Sequence, residues 1–323
     1  MQKLNNHIVA NKIFPYLPTK IRNVFYYRFL WNADFPEIVH IENTNACNAA
    51  CIMCPREKMT RKIGLMDFGL FKKVINECSS RREVKEVHVH GFGEPLLDKN
   101  INDKIIFAKK AGIKKVYFVT NASLLTEEIS TGLIKADLDG IKFSMYGNSC
   151  AIYEAIHKGL DYETVEQHIV AFLKIRKKLN KNKPFVKIQF VPQKENIHER
   201  EAFLKKWNLL IDKRCGDSVE EFSLHNWIYG RSYINVNNTP IRKSCGLPFV
   251  SLQILWDGMV TACCYDYDGK IDFGNVNSHT IFQIWNSKPY VRFRCMHRMA
   301  EFQKIDICNL CDQLRQENVV CNK

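Results

Sequence analysis

Through most of the chain, short runs in which Val, Ile, Phe and Tyr alternate with polar residues are separated by longer stretches with apolar positions three and four apart. Alternation with period two marks a half-buried strand, and the 3.6-residue period marks a helix with one buried face. On this pattern strands are expected at 37–43, 84–90, 115–120, 139–145, 185–191 and 219–224. Helices are expected near 68–79, 99–111, 125–135, 162–179 and 197–211. A strand followed by a helix, repeated, gives a parallel sheet with right-handed crossovers. Six such units predict an α/β fold, a partial (β/α)6 barrel of the TIM type over residues 37–236, with its chemistry on the loops that follow the strands.

The pattern changes after about residue 236. The segment NVNNTPIRKSC is polar and turn-rich, so a domain boundary is expected within 236–244. Beyond it, SLQILWDGMVTACC reads as a short hairpin, and the remainder, within a small cysteine-rich unit over 237–323, reads as loop-rich. Residues 1–36 carry Phe14, Tyr16, Phe25, Tyr26, Tyr27, Phe29 and Trp31 among basic residues. They are expected to pack as an arm on the barrel, since a membrane-surface helix would need a cleaner polar face.

Composition narrows the partners. Of 323 residues, 46% are hydrophobic and 25% charged, as in an ordinary globular protein, and the formal net charge is +13. Such a balance admits nucleic acid, an anionic membrane or an anionic substrate, or simply a solvated basic surface. No nucleic-acid-binding signature accompanies it, so none is expected as a partner. No run of 18 apolar residues offers a membrane span, and no apolar leader opens the chain. Thirteen cysteines without an export signal point to metal or redox chemistry in the cytoplasm rather than to a disulfide scaffold.

The cysteines are grouped. Cys47, Cys51 and Cys54 follow the first strand directly, spaced Cys-x3-Cys-x2-Cys. Three thiolates do not complete a tetrahedral zinc site, but they ligate three irons of a [4Fe–4S] cube and leave the fourth open to a small molecule. A zinc knuckle or redox-active thiols are the alternatives. A second group comprises Cys245, then Gly258 and Cys263, then, after a 44-residue gap, Cys308 and Cys311. Two distant cysteines with a Cys-x2-Cys pair suit a four-thiolate site for zinc or a cluster.

The triad after the first strand of a β/α repeat resembles the radical S-adenosylmethionine superfamily. The resemblance implies an open iron that chelates the methionine moiety of S-adenosylmethionine, one-electron cleavage of that molecule, and abstraction of a hydrogen atom from substrate by the resulting 5′-deoxyadenosyl radical. His90-Gly91-Phe92-Gly93-Glu94-Pro95 after the second strand resembles the family's Gly-Gly-Glu-Pro loop, with Phe92 as a departure. It implies that Gly91, Gly93 and Glu94 receive the methionine ammonium. Thr120-Asn121 resembles the family's Thr-Asn-Gly, with Asn121 either at the cofactor or as a turn residue. By the same resemblance Ser144 and Gln189, late in the fourth and fifth strands, reach S-adenosylmethionine. Met53, where the family usually has an aromatic residue, packs near the adenine. His88 and His90 share one strand face, as a metal pair or as hydrogen-bonded barrel-interior residues.

The C-terminal spacing resembles the family's SPASM/twitch extension, as do Gly274-Asn275 and Ile284-Trp285-Asn286, so Cys245, Cys263, Cys308 and Cys311 are expected to hold one auxiliary [4Fe–4S] cluster. The full SPASM form has a further Cys-x5-Cys partner; here Glu317 stands in that place. Two clusters in all are therefore implied, and an external reductant such as flavodoxin or ferredoxin. A fully ligated auxiliary cluster suits electron transfer, which favours two-electron oxidation. The layout looks most like the 2-deoxy-scyllo-inosamine dehydrogenase group. That implies a small-molecule substrate, sugar-like or anionic, oxidised at a secondary alcohol. The alternatives are peptide or protein modification and a non-catalytic electron-transfer protein. His225 and Arg231, after the last strand, are the candidate bases for the hydroxyl proton, with a structural role as the alternative for each.

Overall fold

The computed structural model describes residues 34–227, 245–309, 311 and 312. Arg231, the boundary segment 236–244 and all but the last three residues of the N-terminal arm lie outside that set.

Six parallel strands follow one another across the sheet in chain order: β1 (Ile38–Ile41), β3 (Glu86–His88), β4 (Lys115–Thr120), β5 (Gly140–Ser144), β7 (Phe185–Phe190) and β8 (Ser218–Glu221). Two short strands, β2 (Ala50–Cys51) and β6 (His157–Lys158), pair separately in antiparallel fashion. Helices α1 (Phe68–Ser79), α2 (Ile101–Lys110), α3 (Glu127–Lys135), α4 (Cys150–Ile156), α5 (Tyr162–Lys178) and α6 (Arg200–Leu210) fill the crossovers.

The alternation explains the curl. One face of each of the first five of these strands is apolar and buried: Val39 and Ile41, Val87, Val116 and Phe118, Ile141 and Phe143, Val186, Ile188 and Phe190. Phe143 meets Phe172 of α5 edge-on and Phe190 packs against Phe203 of α6, so this face turns toward the helices. Each such side chain contributes about 1.5–3 kcal/mol on burial. The other face carries His40, His88, Tyr117, Lys142, Ser144, Lys187 and Gln189. Asp67, Thr126 and Asp161 each accept a backbone N–H three residues on, which starts α1, α3 and α5 where they begin.

The C-terminal part departs from the expectation in two ways. The foreseen hairpin forms, as β9 (Ser251–Ile254) and β10 (Val260–Thr261), but it does not stand apart. β9 pairs parallel with β1 from Ile38↔Ser251 to Ile41↔Ile254, so the barrel sheet continues into it and has eight strands among the described residues. The part read as loop-rich contains α8 (Ile281–Trp285), α9 (Lys288–Arg298) and α10 (Asp306–Asn309), after a short α7 (Leu247–Val250). Their apolar anchors, Ile281, Ile284, Trp285, Tyr290 and Phe293, are buried in the common core, but the basic residues among them mask the helical period.

Candidate active site and its two groups of thiols

The loop after β1 carries Cys47, Cys51 and Cys54, and its shape is held from three sides. Asn48 Nδ2 donates to Ser123 Oγ at 2.8 Å, and Asn121 Nδ2 donates to Asn48 Oδ1 at 3.0 Å. Glu94 N donates to Ala46 O at 2.8 Å. Cys51 lies opposite His157 in the β2–β6 pair, with its Sγ 3.1 Å from His157 Nδ1.

The three thiols feel one another's charge and are largely withdrawn from water. Burial pushes Cys51 up, and the nearby Cys54 and Cys47 add to it. Burial likewise raises Cys54 to about 11 and raises Cys47. Arg56 is the cation acting on all three, and it offsets only part. Three half-buried sulfurs that must be thiolates to bind metal would be favoured in that form by a positive core among them. Among the described residues no three His, Cys, Asp or Glu side chains converge on a single metal ion. Three cysteine sulfurs on one loop are a donor set that fits a cluster with one open iron.

The thiols of the second group also feel one another's charge. Burial pushes Cys263 well up, with Cys264, Cys308 and Cys311 adding to it. Cys308 is raised by burial and then by Cys245 and Cys311. The four predicted auxiliary cysteines are therefore within electrostatic reach of one another through Cys308, with Cys264 nearby. Cys308 Sγ lies 3.5 Å from His297 Nε2.

The two groups share one frame. Asp268, just past Cys263, accepts from Thr60 N at 2.6 Å and Thr60 Oγ1 at 2.8 Å, and Thr60 lies just past Cys54. Arg61 Nε donates to Tyr267 O, and its two terminal nitrogens grip buried Glu42 at 2.9 Å each. Glu42 also accepts from Trp256 N of the β9–β10 turn and from Phe92 N.

The loop after β3 is a brace. A Cβ on Gly91 would meet the Glu42 side chain at 2.5 Å, and one on Gly93 would meet Thr44 O at 2.4 Å and Ala46 O at 2.5 Å. Both glycines therefore admit the close approach of this loop to the cysteine loop. Buried Glu94 accepts from Leu96 N at 3.0 Å, Thr120 Oγ1 at 2.6 Å and Asn121 N at 2.8 Å. Burial raises its pKa, and these three bonds pull it back. Oε1 takes two of these bonds and Oε2 one. Ser144 and Gln189 face each other across β5 and β7 in register, partly exposed on the inner face. Met53 is 9% exposed between Cys51 and Cys54. His88 and His90 stack at 5.9 Å and His40 joins them, as residues of the barrel interior.

His225 sits at the junction. Its ring stands edge-on to Trp227 at 3.9 Å and to Tyr265 at 4.8 Å, and Tyr265 feels the charge of Cys264, Cys263, Cys311 and Cys245. Burial lowers His225 to about 4, so it is neutral near pH 7 and a weak base. Sequence reasoning missed Asn48, Glu42, Asp268, His157 and His297. Their partners lie up to 208 residues away, and no local spacing signals them.

The barrel, the triad on its first loop and the second thiol group define a class. The radical SAM superfamily model matches residues 41–206, just over half of the chain, and an iron–sulfur cluster-binding SPASM domain matches residues 245–312. The chain belongs to the radical SAM superfamily, as an enzyme of the oxidoreductase kind, and uses S-adenosylmethionine and two [4Fe–4S] clusters. Among particular relatives, it is 24% identical to the tungsten-containing aldehyde ferredoxin oxidoreductase cofactor-modifying protein of Pyrococcus furiosus, over 88% of this chain and 91% of that one. It is also 24% identical to the S-adenosyl-L-methionine-dependent 2-deoxy-scyllo-inosamine dehydrogenase of Niallia circulans, over 86% and 93%. The fold is similar to that of BtrN in complex with AdoMet and 2-DOIA, with a TM-score of 0.60, 20% identity and coverage of 88% and 96%. It is also similar to anSMEcpe with bound AdoMet and Cp18Cys peptide, at 0.61, 14%, 87% and 91%. No helix among the described residues is long and apolar enough to cross a membrane.

Proposed function

We propose that this enzyme oxidises a secondary alcohol of a cyclitol, sugar or nucleotide-sugar by two electrons. In this reading Cys47, Cys51 and Cys54 of a barrel unit over 37–236 hold the S-adenosylmethionine-binding cluster. Gly91, Gly93, Glu94, Asn121, Ser144, Gln189 and Met53 form the S-adenosylmethionine site. Cys245, Cys263, Cys308 and Cys311 of the unit over 237–323 hold the auxiliary cluster. The observation that carries it is the shared frame of the two thiol groups, through Thr60–Asp268 and Arg61–Glu42.

When bound, S-adenosylmethionine and its cluster supply hydrogen-atom abstraction, and the auxiliary cluster supplies an acceptor for a second electron. The balance for an alcohol is one hydrogen atom from carbon, one electron to the auxiliary site and one proton from oxygen, leaving a ketone. Neutral His225 takes that proton; Arg231, the other candidate, lies outside the described residues and as a guanidinium would steady the oxygen rather than accept its proton. Lys142 and Lys187 are neighbours in register on the inner face, with Lys187 paired to Glu220 at 2.6 Å, a mixed polar lining that suits a polar substrate.

The test is anaerobic reconstitution, then a panel of cyclitols, sugars and nucleotide-sugars deuterated at the carbinol carbon, with a deuterated peptide alongside. About eight irons per chain are expected from two cubes, with label passing from an alcohol into 5′-deoxyadenosine and none after Cys47→Ala. Iron near four would remove the auxiliary cluster, and label passing only from the peptide would replace the alcohol with a peptide substrate.

A further inference from the structure

In each thiol group one sulfur lies against a buried imidazole. The Cys51 Sγ to His157 Nδ1 distance is 3.1 Å, and Cys308 Sγ to His297 Nε2 is 3.5 Å. In each ring the other nitrogen, His157 Nε2 or His297 Nδ1, is buried with no hydrogen-bond partner. Both rings are clamped by aromatic neighbours. Tyr146 and Tyr153 lie 4.7 and 4.6 Å from His157, and Phe293 and Phe302 lie 4.8 and 5.8 Å from His297. The backbone fixes them as well. Cys51 and His157 are paired residues of β2 and β6, and His297 sits in the closing turn of α9.

A cysteine sulfur bonded to iron carries no proton. In the loaded enzyme, therefore, each contact has the nitrogen as donor and the sulfur as acceptor. A neutral imidazole has one N–H, and committing it to sulfur leaves the other nitrogen bare, in agreement with its empty surroundings. An N–H aimed at a ligand sulfur draws charge from it. It stabilises the reduced cluster, which carries one more negative charge, over the oxidised one.

We propose that His157 and His297 are positioning residues, each donating an N–H to one ligand sulfur and each raising the reduction potential of its own cluster. This rests on the ligand assignment made above. The effect at Cys51 eases reduction of the S-adenosylmethionine-binding cluster by the external donor. The effect at Cys308 makes the auxiliary cluster the better acceptor for the electron leaving the substrate.

The test is an EPR-monitored potentiometric titration of reconstituted enzyme. Cys308→Ala/Cys311→Ala isolates the first cluster and Cys47→Ala/Cys51→Ala/Cys54→Ala isolates the second. His157→Phe should lower the reduced-to-oxidised ratio of the first cluster by about three- to tenfold at fixed potential, where tenfold is about 59 mV for one electron. It should leave the second unmoved. His297→Phe should do the converse. His157→Asn and His297→Gln return an N–H near the lost one and should recover most of each shift. Equal shifts in both clusters, no shift, or Asn and Gln variants that behave like Phe would overturn the proposal. Wild-type enzyme carrying ¹⁵N-histidine gives a reading that needs no variant: pulsed EPR should show a ¹⁵N coupling at each reduced cluster, and its absence would also overturn it. A wrong ligand assignment shows itself separately, as iron retained at about eight per chain in the Cys→Ala variants before any potential is measured.

Discussion

Gly93 has no room for a side chain. The atoms a Cβ would strike, Thr44 O, Ala46 O and the Asn45 Cα at 2.9 Å, are all backbone of the cysteine loop and cannot swing aside. Gly93→Ala must push the two loops apart, which strains the Glu94 N to Ala46 O bond and the placement of Cys47. Overpacking of this kind costs about 1–3 kcal/mol. The expected result is a lowered melting temperature and loss of the triad's iron, with the auxiliary iron kept, so that reconstituted chains fall from about eight irons to about four. Iron analysis beside a thermal melt checks this, and a variant with wild-type values in both would show that the loops do not press on each other. At this scale the cysteines were legible because three thiols within eight residues say much by spacing alone. His157 and Asp268 were not, because each meets its partner only after the chain has folded back. The loop glycines fall between: their type was legible, but their reason is a clash with the neighbouring loop.

At the scale of elements, α9 is a case where one residue works against a good local design. Its C-terminal turn closes with Ala300 N–H on His297 O at 3.2 Å and Glu301 N–H on Met296 O at 2.7 Å, the paired bonds of a Schellman end. That geometry puts the residue after the cap in the left-handed region, and Ala300 has φ of 57°. A non-glycine residue there costs roughly 1–2 kcal/mol. Ala300 is exposed, so replacing it removes little packing. Ala300→Gly should stabilise the enzyme by about 1 kcal/mol, read as a higher urea midpoint with an unchanged slope; an unchanged or lower midpoint would refute it. Element boundaries were legible where a cap and a period coincide. α1 spans the expected 68–79, with Asp67 as its cap, and β4 spans the expected 115–120. α4, with seven residues and no side-chain cap, went unseen, as did β2 and β6 with two residues each, since so short a segment shows no period. The hairpin was legible as a hairpin, but its place beside β1 was not, because strand order is a property of the assembled sheet.

The molecule as a whole buries neutral histidines. His40, His88 and His90 meet in the barrel interior, and burial holds His40 and His90 well below the usual range and His88 at about 4. His225, at the mouth, is also held at about 4 by burial. In each case the folded-state pKa lies below the unfolded value of about 6.5. Between the two values the unfolded chain binds more protons than the folded one, so stability rises with pH there. The contribution is fully present above about 6.5 and is lost as pH falls toward 4. Glu86, beside His88 at 3.1 Å, runs on a separate scale: its hydrogen bond to His88 comes first among the causes that lower it to about 2. Its own contribution is present above the ordinary carboxylate range and drains away only below that range, as pH falls toward 2. The two windows therefore succeed each other, histidines first and this carboxylate after. The urea midpoint of the cluster-free protein should climb steadily from pH 4.5 to 6.5 and level off above 7. His88→Asn, which removes one of these titrating rings, should flatten that climb. A midpoint that is level or falling across the interval would mean that the interior rings take up protons without loss of the fold.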